Sequence, residues 1–132
     1  MRLLIDTQIL IWFLEGNKRL PEKCHALIRD AANEVMISRI SLLEIAIKLK
    51  VGGRLTLDRG VEGVILDCQK ESIRVLPMSD EHILAYQDIP FYDDHRDPFD
   101  RMMLATALAE EVAIISSDGK FQRCHDIVTV IW

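Results

Sequence analysis

No run of apolar residues in this chain approaches the roughly 18 that a membrane helix requires, so the sequence offers no spanning segment. The nearest thing to one, "MRLLIDTQILIWFLEG" at the start, is interrupted by Asp6, Thr7 and Gln8 and has no small-residue cleavage pattern after it. It reads as folded structure, not as a leader. Cysteine is scarce and unpaired. Cys24, Cys68 and Cys124 are widely spaced, form no CxxC pair and leave no even-numbered disulfide framework, which fits buried free thiols in a reducing cytoplasm. Positive charge is short as well: the net charge is −5. A protein that holds nucleic acid by blanket attraction to phosphates is usually basic, so a nucleic-acid partner here must be held locally, by a few Arg and Lys or through metal ions. Repeats, low-complexity stretches and linkers are also missing. The 132 residues, 49% hydrophobic and 28% charged, read as one globular domain spanning 1–132 with enough apolar material for a core.

What the chain does have is alternation. Short apolar runs at 2–7, 34–40, 73–78, 112–118 and 127–132 read as buried strands. Between them lie helical patterns: a helix from Thr7 to a stop at Gly16, a second over 21–32 with Pro21 in its first turn, and a third over 41–53. A fourth over 60–72 is weakened by Gly63, a fifth over 79–88 opens on Ser79, and a sixth opens at Asp97–Pro98 and ends near Glu111. Strands alternating with helices imply crossover connections. The fold class is therefore α/β, a three-layer α/β/α sandwich around a mainly parallel sheet of four to five strands. In such folds the ligand sits beyond the carboxyl ends of the strands, near the point where strand order reverses.

That rule singles out four acids. Asp6 follows the first strand, Glu44 lies in the first turn of the helix after the second, and Asp118 follows the fourth. Asp100 opens the helix that must start at the same edge to deliver the chain to the fourth strand. Each has an ordinary structural explanation. Asp6 can cap the following helix, Ser41–Leu–Leu–Glu44 fits a capping box with Lys48 as a further partner, Asp97–Pro98–Phe99–Asp100 is a standard helix start, and Asp118–Gly119 is a common turn. Together these explanations weaken, because acids drawn into one crevice repel one another and burial raises their pKa values. A divalent cation removes the conflict. Magnesium and manganese prefer carboxylate and water oxygens, and the lack of a His–Cys pattern counts against zinc. Acids with bound metal can generate a nucleophile from water and clamp a phosphate.

The blocks "LLIDT", "SLLEIAIK" (41–48), "DPFDRMMLATAL" (97–108) and "IISSDGKF" (114–121) occur in an order and spacing that resembles the PIN-domain family, and within it the VapC-type toxins of toxin–antitoxin pairs. The resemblance spans nearly the whole chain. It implies a small α/β/α nuclease, dependent on Mg²⁺ or Mn²⁺, cutting RNA phosphodiester bonds by metal-activated water and inhibited by a cognate antitoxin. The acids it carries over are Asp6 and Asp100 as principal metal ligands, Glu44 to bind a second metal or orient the attacking water, and Asp118 to complete the cluster. Ser116 takes the place of the family's usual Thr or Ser ahead of the last acid and is expected to fix a carboxylate rotamer. Asp97 is expected to be a helix cap that supports a ligand.

Further residues divide between functional and structural readings. Arg96 and Arg101 either contact RNA phosphates or neutralise Asp97 and Asp100. His95 reads as a partly exposed loop histidine, Lys48, Lys50 and Arg54 as a solvated helix end, and Cys124–His125 as no metal pair. Phe91 and Tyr92 either stack on a base or pack beneath their loop. Trp12, Phe13 and Leu14 share one helix and cannot all face the core; an exposed subset suits a homodimer or an antitoxin groove. Two rival functions fit less well: a phosphatase or phosphotransferase with Asp6 as nucleophile, which wants an acid where the chain has Gln8, and a non-catalytic metal-binding interaction module.

Overall fold

The apolar runs become strands, those at the centre of the sheet buried on both faces and the edge strands partly covered, and their alternation splits the core in two. The computed structural model describes residues 1–52, 57–91 and 97–132. Arg54, Tyr92, His95 and Arg96 lie outside the described residues. The chain runs β1 (Arg2–Ile5), α1 (Thr7–Glu15), α2 (Glu22–Arg29), β2 (Glu34–Ser38), α3 (Arg39–Val51) and α4 (Gly60–Lys70). It continues through β3 (Arg74–Leu76), α5 (Asp80–Tyr86), α6 (Pro98–Glu110), β4 (Ala113–Ile115), a 3₁₀ turn (Phe121–Cys124) and β5 (Val130–Ile131). The sheet is five-stranded in the order β3-β2-β1-β4-β5, and every pairing is parallel. Strand order reverses at β1, between β2 on one side and β4 on the other, so the switch point falls where Asp6 leaves the sheet.

Because successive strand side chains point to opposite faces, Leu3, Ile5, Val35, Ile37 and Ile115 pack with α1, α2, α3 and α4 in one cluster. Leu4, Met36, Leu76 and Ile114 pack with α5, α6 and Phe121 in the other. The six described helices thus cover both faces and make the three layers the alternation implied. No described helix is long and apolar enough to cross a membrane.

Three local expectations change. The third helix starts at Arg39, capped by Ser38, whose hydroxyl accepts from the Ile40 N–H. Ser41 is therefore inside the helix, where it hydrogen-bonds Thr7 (3.0 Å) and ties α1 to α3. The Ser41–Glu44 capping box does not form, and Glu44 sits beyond the first turn. Gly63 does not interrupt α4; it is buried within the helix, and a Cβ there would collide with Cβ of Arg59. The last three strands are shorter than their apolar runs, Arg74–Leu76, Ala113–Ile115 and Val130–Ile131, since the flanking residues turn away to form loops. Glycine closes α1 as expected, with Gly16 at φ 64°, a left-handed cap that a side chain would strain.

Candidate functional site

The carboxyl edge of the sheet opens into a cleft of about 370 Å³ whose wall includes Asp6, Glu44, Asp97, Asp100 and Asp118, with Lys48 the only cation among the described lining residues. All four predicted acids and the supporting Asp97 are therefore brought together. Each is placed by a different element. Asp6 ends β1 and caps α1: its Oδ1 accepts from the Ile9 N–H (2.8 Å), while its Oδ2 accepts from the hydroxyl of Ser116. Its own N–H donates to the Ile115 carbonyl (3.2 Å), which extends the β1–β4 ladder to the site. Ser116 is fully buried, and the oxygen that donates to Asp6 also accepts from the Asp118 N–H (3.1 Å). One serine thus links two of the acids. Asp118 in turn holds its loop by accepting from the Lys120 N–H (2.9 Å).

Asp97 caps α6 by accepting from the Phe99 N–H (2.8 Å), with Pro98 in the first helical position, as the sequence pattern predicts. That start turns Asp100 into the cleft. Glu44 is buried on α3; its Oε2 pairs with Lys48 one turn on (3.2 Å), and its Oε1 is buried with no hydrogen-bond partner. Thr7, Gln8, Met103 and Ser117 also line the cleft. Nothing in their residue types marks them beforehand; they arrive by adjacency to the acids in chain or helix.

The electrostatics are those of a site short of positive charge. Burial, and to a lesser degree the charges of Asp118 and Glu44, push the Asp6 carboxyl up to about 6 despite the hydrogen bonds from Ser116 and Ile9. Asp100 is pushed up to about 7 by burial, then by Asp97, Asp118, Glu44 and Asp6 in turn. Every described charge acting on Asp100 is another carboxylate.

Against known families, the model of the PIN domain matches residues 3–126. The chain belongs to the PIN-domain family. Solved structures share the fold of this PIN domain over almost its whole length. A chain in the structure of VapBC2 from Rickettsia felis bound to a DNA fragment from their promoter aligns with a TM-score of 0.67 at 15% identity, covering 99% of this chain and 98% of that one. A chain of a toxin-antitoxin complex from Klebsiella pneumoniae gives 0.66 at 18% identity over 98% and 96%. One of VapBC-1 from nontypeable Haemophilus influenzae gives 0.65 at 18% identity over 97% and 96%. Compared with curated proteins by sequence, the chain has no match.

Does the PIN-domain cleft suit a divalent cation? Among the described residues, no group of three or more His, Cys, Asp or Glu side chains stands in position to enclose a metal ion. A closed cage is not what magnesium requires, since it is commonly held by one or two carboxylates with water and substrate phosphates filling the rest. The donors facing the cleft are carboxylate oxygens, Glu44 Oε1 lacks a partner, and Asp6 and Asp100 carry uncompensated negative charge. The residues fit an open, hydrated site for a hard cation.

Two expectations about neighbouring residues are corrected. Arg101 neither faces the cleft nor neutralises Asp97 or Asp100. It is 4% exposed and donates to the carbonyls of Ile89 and Pro90, both at 2.8 Å, because consecutive helical residues diverge by about 100°. The Trp12–Leu14 stretch exposes less than its composition suggested. Phe13 is buried beside His25, and Trp12 is half-covered with its ring tilted against Trp132. Exposed apolar side chains lie instead on α3 (Leu43, Ile47, Val51) and α5 (Ile83, Leu84), with others such as Leu66, Met78, Phe91 and Ile127 scattered elsewhere.

Proposed function

We propose that this PIN domain is a divalent-metal-dependent endoribonuclease, working in the cytoplasm as the toxin of a toxin–antitoxin pair. The observation that carries the reading is the cleft itself: five carboxylates from four separate stretches of chain converge at the strand-order switch point with one described cation among them. Uncompensated convergence of this kind is costly to the fold and makes sense when a cation and a phosphate complete it. Structural kinship with chains of VapBC and toxin-antitoxin complexes supports the biological role and an antitoxin partner. The exposed apolar residues of α3 and α5 offer surface for such a partner or for a homodimer. The buried free thiols suit a reducing compartment.

In this reading Asp6 and Asp100 are the principal holders of Mg²⁺ or Mn²⁺, with Glu44 and Asp118 completing the set. The bound ion would polarise the scissile phosphate, lower the pKa of water and offset charge on the leaving oxygen. The chain's own residues do the rest. Ser116 fixes the rotamer of Asp6 and the backbone of Asp118 at once, so two donors keep their separation without rearrangement. Glu44, whose Oε1 has no hydrogen-bond partner, would bind a second metal or orient the attacking water. Lys48 can turn from Glu44 to a substrate phosphate once that carboxylate has another partner. A phosphatase with Asp6 as nucleophile is disfavoured, because the chain has Gln8 where such an enzyme wants a second acid two residues on.

The test is to incubate the purified chain with assorted single-stranded and structured RNAs in Mg²⁺, Mn²⁺ or chelator and to map the cut ends. Cleavage confined to the metal-containing samples, and lost in Asp100→Asn, is the expected result. Hydrolysis of small phosphomonoesters would point to the phosphatase, and metal binding without turnover to a non-catalytic module.

A further inference from the structure

The hydrogen bond between Thr7 and Ser41 sits where the fold has little need of it. Both side chains are buried, at 4% and 0% exposure, and the Thr7 hydroxyl donates to that of Ser41 at 3.0 Å. Apolar groups of the same shape in both positions of such a neutral pair generally serve a fold almost as well. The neighbours of the pair are more telling. Thr7 follows Asp6 directly, is the first residue of α1 and lines the acidic cleft. Ser41 precedes Glu44 by three residues on α3, so the two share a face of that helix. One bond between hydroxyls thus joins the start of the helix that Asp6 caps to the turn that carries Glu44.

The arrangement repeats the one on the other side of Asp6. There Ser116 bridges the Asp6 carboxylate and the backbone of Asp118; here Thr7 and Ser41 bridge the helices that bear Asp6 and Glu44. Asp118 and Glu44 are also the two charges that act on Asp6. Like charges push their carriers apart, and α1 and α3 are separated in the chain by α2 and β2, so their spacing at the cleft depends on packing and cross-links. Glu44 needs that control most. Its Oε1 is buried without a hydrogen-bond partner, and its Oε2 is paired with a lysine that is itself half exposed. We infer that Thr7 and Ser41 are positioning residues for divalent-cation binding, their hydrogen bond fixing α3 against α1 so that the cleft presents Glu44 and Asp6 to Mg²⁺ or Mn²⁺ in one arrangement. The inference rests on the metal-dependent reading of the cleft. Neither hydroxyl is a ligand; both act through the acids they place. Such supporting groups commonly contribute roughly 10- to 100-fold to metal affinity.

Four variants of the full chain test this: Thr7→Val, Ser41→Ala, the two combined, and Thr7→Ser, which keeps the hydroxyl. Mn²⁺ binding is read from the electron paramagnetic resonance of the free ion, which needs no turnover, beside a thermal melt of each metal-free protein. Thr7→Val and Ser41→Ala are each expected to raise the Mn²⁺ Kd about 10-fold. The double variant should be no worse than either single, because all three lack the same bond. Thr7→Ser should bind as wild type does. An unchanged Kd in the single variants, effects that multiply in the double variant, or a Thr7→Ser as weak as Thr7→Val would each overturn the proposal. So would loss of the folded state in both Thr7→Val and Ser41→Ala, which would assign the bond to the fold. Should wild type bind no Mn²⁺, the metal-dependent reading fails and this inference falls with it. Should wild type bind Mn²⁺ and both single variants match it, that reading stands and only the hydroxyl pair is removed from the site.

Discussion

The two edges of one sheet use the same residue types to opposite ends. At the amino edge, charges alternate. Arg2 meets Glu34 (3.4 Å) and Glu110 (3.3 Å), Arg74 meets the other oxygen of Glu34 (3.1 Å), and His82 reaches Glu110 (3.4 Å), so each carboxylate has a cation or ring nitrogen on either side. At the carboxyl edge the acids face one another with Lys48 as the sole described counter-charge in the cleft. The consequence shows in proton affinity. Burial works against the charge of Glu110, yet His82 and Arg2 outweigh it and hold that carboxyl below its usual range. Asp6 and Asp100 are pushed up, to about 6 and about 7. One edge settles its own charge; the other leaves its charge unsettled.

Disturbing the carboxyl edge should have the largest effect, and of opposite sign on its two readouts. Asp100→Asn is expected to reduce metal-dependent RNA cleavage by about 100-fold or more, while raising the melting temperature of the metal-free protein at neutral pH, because a repelled charge has been removed. A circular-dichroism melt showing Asp100→Asn less stable than wild type without metal would break the contrast between the edges.

The pH dependence sharpens it. The folded pKa values of Asp6 and Asp100 lie above their unfolded value of 3.8, so ionising them costs the folded state more than the unfolded one. Their contribution is most favourable below about 4 and is lost as pH rises through about 6 and 7. Glu110 behaves in reverse: its lowered pKa supports the fold above the ordinary glutamate range, and that support fades as pH falls through it. Metal-free protein is therefore expected to melt several degrees lower at pH 7.5 than at pH 5.5, and Mn²⁺ at pH 7.5 to recover most of the difference. In Asp100→Asn the pH difference should shrink.

Ser116→Ala keeps the acids but removes the hydroxyl that bridges them. Cleavage is expected to fall about tenfold, roughly 1.4 kcal/mol of barrier, with the fold retained; steady-state kinetics would read it. Glu110→Gln at the amino edge is expected to have the smallest effect, a loss of about 0.5–1 kcal/mol in a denaturant titration, as exposed pairs generally give, and no change in kcat. A drop in kcat there would mean that the two edges are coupled.

Much of this was legible in the residues. The five apolar runs, the burial of the first two strands and the helix start at Asp97–Pro98 followed from local preferences, and the four acids followed from where a parallel sheet must put the residues after its strands. The misreadings share a cause. Ser41 matched a cap by spacing, but the chain was already helical at Arg39, and spacing does not say which of two nearby serines begins the helix. Gly63 resembled a break because its role, making room for Arg59, belongs to packing. Arg101 sat beside the acids in sequence and was expected beside them in space; helical rotation sent it to Tyr86 and Phe91.

Sequence by itself determined the layers, the parallel order of events along the chain and which acids would arrive at one edge, because hydrophobic period and connectivity are local and combinatorial properties that a string of residues carries in full. Only the tertiary structure decided which charges are compensated. Coulomb interactions and desolvation depend on distances between groups far apart in the chain, and those distances exist once Asp6, Glu44, Asp100 and Asp118 share a cleft while Arg101, one residue from the third of them, turns its charge toward a ring.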